Sequence, residues 1–151
     1  MDYYQGVVTQ FLDADRSVFL NTECYIQLEP SNKSQKGISW YCDIVAVNLR
    51  ESSVYLCEVT YATTLQKLLE RLAAWDACWP QLRKALQRDC SIPETWDIRP
   101  WIFIPEDRRA TFEAKHRPKQ MPKPKITYLE SVVPWKYSSD SRKHDAIAND
   151  V

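Results

Sequence analysis

The sequence predicts a single mixed α/β domain, a central β-sheet flanked by helices. Three observations carry that expectation. Two neighbouring apolar runs rich in Val, Ile, Tyr and Trp are split by a short polar turn, a leucine stripe of helical period follows them, and another apolar run lies beyond the helix. The implied order of helix, three strands, helix, strand suits one layered core. At 151 residues, with six Trp and eight Tyr, the chain is of usual size for one domain and can bury a proper core. Residues 1–137 are expected to form that domain and 138–151 a flexible tail.

Each element has its own signal. Asp2 to Leu12 carries Tyr4, Val7, Val8, Phe11 and Leu12 at helical spacing, weakened by Gly6, and predicts a first helix. Ser17 to Pro30 alternates strictly from Cys24 to Leu28 and predicts a strand, with Ser31 to Gly37 as a polar turn. Trp40 to Val47 and Val54 to Tyr61 predict a hairpin through Asn48 to Ser53; neither alternates cleanly, so both faces of these strands should be covered. Thr63 and Thr64 are expected to cap a helix whose stripe is Leu65, Leu68, Leu69, Leu72 and Trp79. Pro80 should end or kink it, with Gln81 to Leu86 as a continuation. Trp96 to Ile104 reads as a strand, Arg108 to His116 as a short helix and Ile126 to Val133 as a last strand.

Inside the hairpin, Asp43 and Glu58 interrupt apolar runs that should be interior. An ionised carboxylate there is costly unless something satisfies it. Folding the hairpin about Arg50 and Glu51 brings Asp43 opposite the stretch Glu58 to Thr60. Opposite Glu58 or Thr60, the three side chains share a face, with facing Cβ atoms roughly 5 Å apart. Opposite Val59, the carboxylates fall on different faces. On a shared face the pair suits a hard divalent ion, Mg²⁺ or Mn²⁺, which takes one or two carboxylates, keeps waters and accepts phosphate oxygens.

An Asp at the head of one strand followed by Glu58-Val59-Thr60 in the next resembles the PD-(D/E)XK nuclease superfamily, over roughly residues 1–104. The resemblance implies a restriction-endonuclease-like domain that cuts phosphodiesters, with Asp43 and Glu58 holding Mg²⁺ or Mn²⁺. Thr60 stands where that family most often has Lys. The task of orienting the attacking water then falls to Thr60, Gln66 or Lys67, which makes Asp43, Glu58, Thr60, Gln66 and Lys67 the catalytic candidates. On a 100° helical wheel Lys67 lies far from the leucine stripe and Gln66 at its margin. The other reading is a catalytically inactive nuclease-like domain that binds nucleic acid or a protein partner. Small domains of the superfamily also imply a homodimer or a place in a larger assembly.

Formal charge sums to zero, yet it is unevenly placed: residues 1–107 carry −5, residues 108–125 carry +6 and the remainder −1. Arg108, Arg109, Lys115, Arg117, Lys119, Lys123 and Lys125 are therefore the candidate nucleic-acid contacts. Pro118, Pro122 and Pro124 should hold part of the segment extended, and a solvated linker is its ordinary reading. No apolar stretch approaches the roughly 20 residues that span a bilayer, so no membrane partner and a cytoplasmic setting are expected. Five Cys without zinc-type spacing are expected to be reduced thiols. Glu23 offers a third carboxylate, though an exposed face is its ordinary reading. Lys33 and Lys36 are loop cations, and His116 and His144 lack a ligand partner at suitable spacing. Trp79 and Trp101 are expected in the core, with Trp135 open as a stacking surface.

Overall fold

The computed structural model describes residues 2–29 and 38–136. The expected tail, the turn with Lys33 and Lys36, and His144 lie outside them. Nine main elements follow in order: α1 (Tyr3–Asp13), β1 (Val18–Gln27), β2 (Ser39–Asn48), β3 (Ser53–Val59), α2 (Gln66–Ala77), α3 (Trp79–Cys90), β4 (Asp97–Ile104), α4 (Arg109–Lys115) and β5 (Lys125–Tyr128). The five strands form one sheet in the order β1-β2-β3-β4-β5. The first three are antiparallel neighbours, while β3, β4 and β5 run parallel.

The missing alternation in the hairpin has its cause in two separate cores. Val54 and Leu56 of β3 pack with Leu68, Leu72, Trp75, Leu82 and Leu86 of α2 and α3, whereas Tyr55 and Cys57 join Val8, Phe11 and Leu12 of α1. A strand covered on both faces has no polar side to display. Helix α1 is started by Asp2, whose carboxylate accepts the Gln5 N–H at 2.8 Å. The hairpin turn closes through Asn48, whose Oδ1 accepts the Glu51 N–H at 3.0 Å, and through Ser52 in the left-handed region at φ 52°.

Three local expectations are corrected. Leu65, without a side-chain cap, precedes α2, so neither Thr63 nor Thr64 does that work. Pro80 neither ends nor kinks a long helix: α2 stops at Ala77, and Pro80 lies in the first turn of α3, where its missing N–H is harmless. The last strand stops at Tyr128 because Leu129–Ser131 tightens into a 3₁₀ turn, with Ser131 Oγ donating to the Tyr128 carbonyl at 2.8 Å. Pro100 is accommodated inside β4 because β5 pairs only from Trp101 onward, leaving one edge of β4 open at the proline. Among the described residues, no helix is long and apolar enough to cross a membrane.

Candidate functional site

The β2–β3 ladder ends at the pair Ile44 and Cys57. Continuing that register places Asp43 opposite Glu58, the arrangement in which both carboxylates share a face. From here the two side chains take over from the ladder. Glu58 Oε2 accepts the Asp43 N–H at 2.9 Å, and Asp43 Oδ2 accepts the Val59 N–H at 2.9 Å. Meanwhile Thr60 N–H donates to the Phe103 carbonyl at 3.1 Å, so the chain beyond β3 stays with β4 after leaving β2. Each carboxylate thus satisfies a backbone donor that the end of pairing exposes.

Both faces of the sheet contribute to the clasp. From α1, Gln5 Nε2 donates to the Asp43 carbonyl at 3.1 Å. From α2, Arg71 Nη1 donates to Glu58 Oε1 at 2.8 Å and to the Tyr41 carbonyl at 2.6 Å. The Glu58 side chain is 8% exposed and that of Arg71 32%, so the ion pair links a buried carboxylate to a guanidinium at the surface. Burial, and then the neighbouring Asp43 charge, push the Glu58 carboxyl up to about 7, against the pull of Arg71 and the Asp43 N–H. Burial likewise raises Asp43, opposed by the Val59 N–H and Arg71 and reinforced by Asp2 and Glu23. Among the described residues, one guanidinium stands beside two crowded carboxylates.

Glu23 stands closer to this pair than an exposed strand position implies. The β1–β2 register runs from Thr22–Ile44 to Cys24–Cys42, which sets Glu23 across from Asp43. Its backbone lies at φ 52°, a left-handed conformation that costs a non-glycine residue about 1–3 kcal/mol. Here β1 changes faces: Val18 and Leu20 pack toward α1, whereas Cys24 and Ile26 pack toward α2 and α3. Among the described residues, no three His, Cys, Asp or Glu side chains gather closely enough to cage a metal. Asp43 and Glu58, which meet where the ladder ends, are the carboxylates that would hold an ion of the Mg²⁺ type, which completes its shell with waters and substrate oxygens.

No protein-family profile matches the chain, and no curated protein sequence does. Among solved structures it is similar to the crystal structure of an XisH family protein from Nostoc punctiforme, with a TM-score of 0.51 and 18% identity over 87% of this chain and 95% of that one. That family is described as having a restriction-endonuclease-like fold. This chain has a restriction-endonuclease-like fold. In that fold the pair at Asp43 and Glu58 occupies the parting of the central strands.

The remaining candidates separate. Thr60 Oγ1 accepts the Ala62 N–H at 3.1 Å and so shapes the turn after β3. Gln66 is exposed and donates to Glu70 at 3.0 Å, and Lys67 is exposed on the same helix. The cation that reaches Glu58 is Arg71, one turn beyond Lys67. Its wheel position flanks the leucine stripe at an angle comparable to Gln66, and its longer side chain spans the distance to the sheet.

The basic segment is docked rather than a free linker. The Asp76 carboxylate accepts the backbone N–H groups of Lys119, Gln120 and Met121 at 2.8–3.0 Å, and Gln120 Nε2 donates to the Asp76 carbonyl at the end of α2. Burial works to raise the Asp76 carboxyl, but those three N–H donors hold it below its ordinary value. Asp76→Ala should cost about 1–2 kcal/mol and release 118–121, read as faster amide exchange there with the rest of the fold unchanged. Lys115, Arg117 and Lys119 line a cleft of about 420 Å³ with His116 and Asp76, and Lys123 is exposed nearby. Arg108 pairs with Asp107 at 3.1 Å, while Arg109 bonds Glu113 at 3.0 Å and the Tyr128 hydroxyl at 2.8 Å. Lys125 departs from the expected surface row. It is 2% exposed, with Nζ 4.3 Å from the Trp101 ring centre and 5.3 Å from that of Tyr55.

Proposed function

We propose that this domain is a divergent metal-dependent nuclease of the PD-(D/E)XK type. The observation that carries the reading is the pair Asp43 and Glu58 where the β2–β3 ladder ends, each carboxylate accepting a backbone N–H of the other strand and the two only partly neutralised by Arg71. Asp43 and Glu58 would hold Mg²⁺ or Mn²⁺, which supplies polarisation of the scissile phosphate and a lowered pKa for the attacking water. Arg71, fixed by Glu58 and the Tyr41 carbonyl, supplies the fixed positive charge that Thr60 cannot, and orients a phosphate oxygen at the parted strands. Gln5 and the Val59 N–H keep the Asp43 strand end in place. Lys115, Arg117, Lys119 and Lys123, all exposed, hold the nucleic-acid backbone.

A specific observation also favours a second reading. Glu58 already has a partner in Arg71, and the Thr60 hydroxyl is engaged in a turn, as expected of a nuclease-like domain that binds nucleic acid or a protein without cutting. Nicking of supercoiled plasmid and cutting of single strands with Mg²⁺ or Mn²⁺ separates the two. Cutting by the parent that falls about 100-fold or more in Glu58→Ala supports the nuclease. Absence of metal-dependent cutting, or cutting that Glu58→Ala leaves intact, overturns it in favour of the binding domain.

A further inference from the structure

We infer that the cleft at the C-terminal ends of β3 and β4 binds one unpaired nucleobase that carries an exocyclic amino group. The inference rests on the nuclease reading for the strand to which that base belongs. The cleft holds about 360 Å³, near the lower end of the range for small-ligand pockets, and its walls come from the start of α1, the segment after β3, and the 3₁₀ turns Glu106–Arg108 and Leu129–Ser131. Two links place it beside the carboxylates. Tyr4 precedes Gln5, whose amide donates to the Asp43 carbonyl, and Tyr61 follows shortly after Glu58. The Thr60 N–H on the Phe103 carbonyl keeps the chain beyond β3 alongside β4 and so carries Tyr61 to the cleft.

The lining suits a stacked base held by its amino edge. Tyr61 lies parallel to Tyr4, with ring centres 4.5 Å apart and planes 11° apart, and Tyr3 meets Tyr4 edge-on at 5.1 Å. One face of Tyr61 is thus covered while the residue stays 58% exposed, which leaves a fixed aromatic plane at the cleft for a further ring. Glu130 supplies the acceptor. Both its oxygens accept the Glu106 N–H, at 3.1 and 3.2 Å, which fixes the carboxylate and leaves lone pairs for an amino group. Arg108 supplies a cation that the core does not use: Nη1 pairs with the exposed Asp107, and Nε has no hydrogen-bond partner among the described residues. An ion pair in contact with solvent is weak, so the guanidinium can turn to a phosphate oxygen flanking the base. With Asp107 and Glu130 both lining the cleft, that phosphate stays at its rim and the neutral base is what enters.

A single-stranded thymidine dodecamer with one central 2-aminopurine, whose fluorescence is quenched when its ring stacks, tests this in EDTA, where metal-dependent cutting is suppressed. The parent should quench the probe saturably, and Tyr61→Ala, at an exposed position, should remove the quench and weaken binding about 10-fold or more. Tyr61→Phe, which keeps the ring, should retain both. Annealing the probe to its complement should remove the protein-dependent quench, and a deoxycytidine dodecamer should displace the probe at about one-tenth the concentration that a thymidine dodecamer requires. No quench, a quench that Tyr61→Ala leaves intact, or equal displacement by the two competitors overturns the inference. Withholding metal separates this result from the nuclease reading: quenching by a chain that never cuts leaves the base site standing, whereas metal-dependent cutting without quenching removes the base site and leaves the nuclease.

Discussion

Arg71→Met lowers the stability of the metal-free protein by about 2–3 kcal/mol at pH 8 and by less than about 1 kcal/mol at pH 5. The dependence on pH follows from Glu58. Its carboxyl titrates near 7 in the fold, above its ordinary value, so between about pH 5 and 7 the folded state keeps a proton that the unfolded chain has released. That contribution favours the fold at low pH and is lost as pH rises through about 7. Arg71 limits the loss by stabilising the charged form; without it, the charge faces Asp43 and the interior with only a backbone N–H in support. The figure stays below the roughly 3–5 kcal/mol of a fully buried pair because the guanidinium is a third exposed. Urea unfolding of parent and variant across this pH range measures it. A loss independent of pH would mean that Arg71 acts through packing or the Tyr41 carbonyl alone.

Trp101→Ala costs more, about 4–5 kcal/mol. Trp101 is 1% exposed at the centre of the face that packs on α1, stacked on Phe103 at 5.0 Å and edge-on to Tyr55 at 5.0 Å. Its indole N–H donates to Thr127 Oγ1 at 2.9 Å, and its ring lies beneath the Lys125 ammonium. Truncation leaves a large cavity, an unpartnered hydroxyl acceptor and a buried cation deprived of its aromatic face. Trp101→Phe should cost about half as much, since it keeps a ring but loses the donor. The same unfolding measurement decides; a loss for Trp101→Ala under about 2 kcal/mol would show that the face collapses to fill the gap.

The hairpin and its carboxylates were legible because they combine a local turn with a costly anomaly: charge inside apolar strands. Asn48 to Ser53 restricted the register to a few pairings; the observed ladder ends at Ile44 and Cys57, and just beyond it Glu58 Oε2 accepts the Asp43 N–H. The neutralising cation was harder to read. Arg71 acts from another element, and its relation to Glu58 depends on how α2 lies across the sheet, which helical periodicity alone does not specify. Gln66 and Lys67 occur earlier on the same helix but remain exposed. Lys125 escaped for a similar reason: its charge placed it with the surface lysines, whereas pairing with β4 stacks it over Trp101. Glu23 lies in a strand whose alternation is broken by a left-handed residue, and no glycine marks the place.

Calorimetric titration of the chain with Mn²⁺ at pH 6.5, in buffers of differing ionisation enthalpy, tests the assignment of Asp43 and Glu58 as a cation site. A single ion should bind and release a proton, because Glu58 must ionise to accept it. Glu58→Gln should weaken binding beyond the roughly 10–100-fold typical of changes outside the ligand shell and remove the proton release. Binding that is equal in Glu58→Gln, or absent at millimolar Mn²⁺, would contradict the assignment.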